Sequence, residues 1–110
     1  ISSIIERTKY GGGELVKLIG SSAWYAPGSA AARMAEAVAR NQKRVLPCCV
    51  KLEGEYGLND VFVGVPVVLG HDGVEQIIKL KLNDKETKLL QNSADAVKEM
   101  MDVLDNMKKK

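Results

Sequence analysis

No stretch of this 110-residue chain approaches the roughly 18 consecutive apolar residues that a membrane-spanning helix requires, so a transmembrane segment is excluded. Neither sign of charge dominates. Sixteen basic residues against fourteen acidic give a net charge of +2, which removes the electrostatic case for nucleic acid or an anionic membrane as partner. The one basic run, Lys108-Lys109-Lys110, is too short to hold lipid head groups and reads as a solvated tail. Cysteine is scarce too. Cys48 and Cys49 are adjacent, and neighbours on an extended chain point to opposite faces, so a disulfide between them is geometrically poor. They read as reduced, buried thiols of a cytosolic protein, one to each face of a strand. His71 is the single histidine and stands far from both, so no metal site is expected. The start, Ile1-Ser2-Ser3-Ile4-Ile5-Glu6-Arg7, lacks the basic opening and long apolar run of a signal peptide; it reads as an internal cut with an upstream segment missing. There is no internal repeat.

What is present predicts a single α+β domain, helices packed on a small antiparallel sheet. Hydrophobic content of 45% with 27% charged residues suits a globular fold. Helical periodicity runs on both sides of Gly11-Gly12-Gly13, and three glycines at about 1 kcal/mol each in a helix interior predict a kink or a close backbone approach. A phosphate cradle would need a strand before them, and none precedes. Pro27 suits a first helical turn, and the alanine-rich run from Gly28 to Arg40 predicts a second helix. Its residues Ala30, Ala31, Met34 and Ala35 form a face that should be covered by something outside the chain.

From Arg44 to Leu52 the chain reads as a strand ending at the glycine-rich connection 54–60. Val61 to Leu69 and Val74 to Leu82 read as a hairpin about the turn Gly70-His71-Asp72-Gly73. Pro47 and Pro66 cannot donate to a ladder, which assigns each to an edge-facing position or a bulge. Asn83 with Glu86 three residues on is a capping-box variant that starts the last helix. On it, Leu90, Val97, Met101, Leu104 and Leu89, Ala96, Met100, Val103, Met107 form two adjoining apolar stripes, a wide face against the sheet or another chain.

The stretch Leu52-Glu53-Gly54-Glu55-Tyr56-Gly57, then Asp60, Val61-Phe62-Val63-Gly64-Val65-Pro66-Val67-Val68-Leu69-Gly70 and Gly73-Val74-Glu75, resembles one family closely. Arg7-Thr8-Lys9, Gly11-Gly12-Gly13-Glu14 and Ser22-Ala23-Trp24-Tyr25-Ala26-Pro27 extend the likeness over nearly the whole chain. The family is that of the NAD-dependent lactate/malate dehydrogenases, and the likeness is to the malate dehydrogenase type that is similar to lactate dehydrogenases. The resemblance implies that residues 1–110 are the C-terminal part of the substrate-binding domain, with the N-terminal NAD-binding Rossmann domain absent. The catalytic His and Asp and the substrate-binding Arg then lie upstream, so the chain by itself carries no catalytic residue and is inactive.

What the resemblance does place here is the head of the active-site helix, where Ser22, Ala23 and Pro27 face substrate and nicotinamide. Ala with Pro at these positions leans to malate, with lactate dehydrogenase the runner-up. The implied cofactor is NAD, bound mainly by the missing part. The implied partners are the rest of the polypeptide, a small 2-hydroxy or 2-oxo acid, and identical subunits in a homodimer or homotetramer, in the cytoplasm and in the tricarboxylic acid cycle. A reading of a different class is a non-catalytic oligomerisation module built on the two apolar helix faces. The acids Glu53, Glu55 and Asp60 with Tyr56 could suggest hydrolysis, but a glycine-flanked loop with no partner base predicts a structural role.

Overall fold

The computed structural model describes residues 1–108, so Lys109, Lys110 and the side chain of Lys108, the solvated tail of the sequence reading, lie outside the described residues. The chain divides into two compact units, Ile1–Ala35 and the part from Glu36 onward.

In the first unit, helix α1 (Ser2–Ile19) runs uninterrupted through the three glycines. The expected kink is absent, and so is the expected close approach: a Cβ at Gly11, Gly12 or Gly13 would meet nothing within 4 Å. Glycine keeps both backbone hydrogen-bonding groups, so the helix ladder survives a loss of propensity where no proline intervenes. Across this stretch Arg7 reaches Glu14 at 3.2 Å, about 10.5 Å along the axis, over positions that carry no side chains. Gly20 ends the helix in the left-handed conformation (φ 81°), its N–H donating to the Val16 carbonyl at 2.8 Å.

Helix α2 (Tyr25–Ala39) starts where predicted, with Pro27 in its first turn. Its buried residue is Ala37, past the expected face; Ala30, Ala31, Met34 and Ala35 are exposed within the chain.

The second unit holds a three-stranded antiparallel sheet in the order β1 (Arg44–Glu53), β2 (Asn59–Gly70), β3 (Gly73–Ile77). Alternation along β2 puts Val61, Val63, Val65, Val67 and Leu69 on the buried face, where they join Cys48, Leu52, Leu58 and Ala94 in the core. Each of the buried Val and Leu side chains contributes about 1.5–3 kcal/mol on burial. Cys48 and Cys49 are free and on opposite faces as expected, but only Cys48 is buried, because β1 is covered on one side alone. Pro47 lies on β1, an edge strand, as its missing N–H demands. Pro66 does not: it sits directly opposite Pro47 on the central strand, away from any bulge. β3 stops at Ile77, five residues short of the predicted Leu82.

Helix α3 (Asp84–Lys108) begins with the reciprocal box read from the sequence, Glu86 N–H to Asn83 Oδ1 and Asn83 N–H to Glu86 Oε2, each 2.9 Å. It packs on the core through Leu90, Ala94 and Val97. The second stripe is exposed, Leu89 at 60% and Met107 at 67%, since a sheet of three strands covers one narrow face of a helix.

Candidate functional site

The loop Gly20–Trp24 turns the chain from α1 into α2. Ser22 and Ala23 on it are half-buried, and Pro27 one turn into α2 is exposed. All three line one cavity of about 250 Å³, with Gly12, Leu15 and Val16 of α1 as its opposite wall and Trp24, Tyr25 and Ala26 beside them. The structure thus brings together the residues that the resemblance placed at the site. It adds a use for Gly12, whose missing side chain leaves the cavity open.

The cavity is mostly apolar. No charged side chain and no histidine lines it, and its polar groups are the Ser22 hydroxyl and the Tyr25 phenol; its walls can exclude water and hold a flat apolar group. The Ser22 hydroxyl is already engaged, since its Oγ accepts the Trp24 N–H at 3.3 Å. Trp24 itself has φ 64°, a left-handed backbone that a bulky residue rarely adopts. Sequence reasoning did not anticipate this strain, nor the walls from Gly12, Leu15 and Val16, which depend on how the loop folds back along α1.

The remaining ionisable groups have local tasks. Glu55 Oε2 accepts the Glu53 N–H at 2.8 Å, and this bond holds its carboxyl below the usual carboxylate range. Asp60 pairs with Lys51 at 2.7 Å, which lowers the Asp60 carboxyl and raises the Lys51 ammonium. Carboxyls pushed down are poor general acids, so both serve the turn that carries them. His71 occupies the β2–β3 turn, where its backbone N–H donates to Asn41 Oδ1 at 3.0 Å, and it does not line the cavity. A larger hollow of about 310 Å³ lies along the side of α1 among exposed Lys9, Tyr10, Glu14 and Lys17, a groove of a single helix surface. Among the described residues no three His, Cys, Asp or Glu side chains are grouped to hold a metal, and no helix is long and apolar enough to cross a membrane.

The lactate/malate dehydrogenase, alpha/beta C-terminal domain profile matches residues 1–107. Malate dehydrogenase of Cytophaga hutchinsonii is 58% identical over 107 residues, covering 97% of this chain and 34% of that protein. The solved malate dehydrogenase of Salinibacter ruber superposes with a TM-score of 0.95 at 50% identity, over 98% of this chain and 35% of its own. Lactate dehydrogenase of Eimeria maxima, solved with NADH and oxamate, gives a TM-score of 0.92 at 42% identity, over 98% and 34% respectively. The chain spans about a third of the length of the curated relatives it matches. With a profile covering all but the last three residues and both helices and sheet superposed on solved relatives, the chain belongs to the lactate/malate dehydrogenase family, in its alpha/beta C-terminal domain.

Proposed function

We propose that residues 1–110 are the C-terminal part of the substrate-binding domain of an NAD-dependent dehydrogenase that interconverts malate and oxaloacetate. The observation that carries this reading is the apolar cavity at the head of α2, where Ser22, Ala23 and Pro27 converge. Ala23 is small enough to leave room for a dicarboxylate. Pro27 is a rigid wall, and the aliphatic surface of Leu15 and Val16 suits one face of a nicotinamide ring. A ring fits these walls; the phosphates of NAD have no partner among them, because the Gly11–Gly13 amides lie in the interior of α1 and not at a helix N-terminus. The dinucleotide would therefore be held mainly by an N-terminal nucleotide-binding domain, which would also supply the catalytic His and Asp and the substrate-binding Arg.

NAD, when bound, supplies the hydride chemistry. This chain's share is to seat the ring and the substrate and to keep water out, which strengthens the electrostatic interactions of groups brought from elsewhere. Ser22 acts on the loop, through its bond to the Trp24 amide. The complete enzyme works in the cytoplasm, in the tricarboxylic acid cycle, as a homodimer or homotetramer. The exposed face Ala30, Ala31, Met34, Ala35 of α2 favours such assembly.

Lactate oxidation is the second reading, favoured by the close superposition on the Eimeria maxima enzyme. Steady-state kinetics of the full-length protein separate the two. NADH oxidation should be at least about tenfold more efficient, in kcat/KM, with oxaloacetate than with pyruvate. The reverse order would establish the lactate reading, and turnover of neither would leave the oligomerisation module.

A further inference from the structure

In an antiparallel ladder a residue's N–H and C=O point to the same neighbouring strand. The Pro66 carbonyl accepts the Ile78 N–H at 2.9 Å, so the Pro66 nitrogen also faces that side. Having no hydrogen, it cannot serve the Ile78 carbonyl, and the ladder of β2 with β3 ends there. A side chain takes over. Tyr56 Oη donates to the Ile78 carbonyl at 2.6 Å and accepts the Leu80 N–H at 3.0 Å, satisfying two backbone groups 22 and 24 residues further along the chain. Among the described residues these two bonds and that of Ile78 to Pro66 are the only hydrogen bonds that tie residues 78–82 to the sheet or its turns.

Tyr56 is held for this task at a cost. It lies in the short 3-10 turn Glu55–Gly57 with φ 55° and ψ 19°, left-handed values that are unfavourable for a bulky aromatic residue. The turn is pinned on both flanks, by Gly54 N–H to the Leu58 carbonyl at 2.8 Å and Leu58 N–H to the Glu55 carbonyl at 3.0 Å. Under the tyrosine, Leu80 and Leu82 of the 78–82 segment border an apolar hollow of about 180 Å³ with Val65, Pro66 and Leu90.

We propose that Tyr56 is a latch: its hydroxyl fills the ladder position that Pro66 leaves without a donor, and residues 78–82 form a strap that lifts from the sheet as a unit, uncovering the apolar hollow, when that latch is released. The idea is independent of the activity assigned above. Hydrogen exchange on the folded full-length protein tests it, comparing the wild type with Tyr56→Phe and with the double variant Tyr56→Phe/Pro66→Ala. In Tyr56→Phe the Leu80 amide should exchange about tenfold faster or more, the scale of a part-buried group losing its partner, while the Val50 and Val63 amides of the β1–β2 ladder keep their rates. Trypsin should cut after Lys79 and Lys81, both exposed, faster by a similar factor. Restoring an N–H at position 66 gives the Ile78 carbonyl a donor again, so the double variant should slow both cleavages. Unchanged Leu80 exchange in Tyr56→Phe, equal acceleration across the whole sheet, or no rescue by Pro66→Ala would each overturn the proposal.

Discussion

Single residues here divide into those whose role follows from their own chemistry and those whose role depends on what the fold sets against them. Asp60 belongs to the first group. Its carboxyl is lowered by the hydrogen bond and charge of Lys51, and a group whose folded-state value is depressed contributes stability above the ordinary Asp range that is lost as pH falls through the folded value. Asp60→Asn should therefore be less stable than the wild type at neutral pH in low salt, with the difference closing as the medium is acidified below pH ~4. Urea titrations at several pH values check this; because the pair faces solvent, added salt should shrink the gap as well. Trp24 and Tyr56 belong to the second group. Nothing in the letters of the sequence announces a left-handed backbone at a bulky aromatic, since that conformation is imposed by the turns around it.

At the scale of elements, the sequence was legible wherever a local rule has one solution. The strand over Val61–Leu69, the Asn83–Glu86 box and the start of α2 follow from β-branched content, capping and proline placement alone. The end of β3 was not legible, because it is set by Pro66 on a different strand and becomes visible only with the register known. Nor could periodicity choose between the two stripes of α3, which differ in what lies opposite and not in composition. Ala94, fully buried, was missed because a methyl group adds little to a hydrophobic pattern even when it lets a helix approach a sheet closely.

The glycines of α1 carry the prediction proper to this scale. Gly11→Ala should raise stability by up to about 1 kcal/mol, since the helix gains propensity and the new Cβ meets nothing. Gly12→Ala should stabilise by a similar amount yet raise the substrate KM, because position 12 is a wall of the cavity. Thermal unfolding and steady-state kinetics of the two variants side by side test the difference.

For the molecule as a whole, the main core cluster is built by the sheet, Leu58 just before β2 and one face of α3, Ala37 of α2 is buried as well, and no residue of α1 is buried. Ile4, Leu18 and Leu104 are 68%, 78% and 58% exposed, apolar surface that a complete enzyme of this family would have to cover with its remaining domain or with a neighbouring subunit. The site was legible in a restricted sense. Ser22, Ala23 and Pro27 came from the family resemblance and from no chemical signature, because an apolar wall has none; metal or acid–base sites are easier to read since their ligands or reactive groups recur at characteristic spacings. The central claim is that this wall holds substrate and nicotinamide, and the most direct measurement is the kinetics of Ala23→Leu in the full-length enzyme with oxaloacetate and NADH. Overfilling a fitted pocket costs about 1–3 kcal/mol, so the variant should stay folded and lose about tenfold or more in kcat/KM. A folded variant with unchanged kinetics would contradict the assignment of the site.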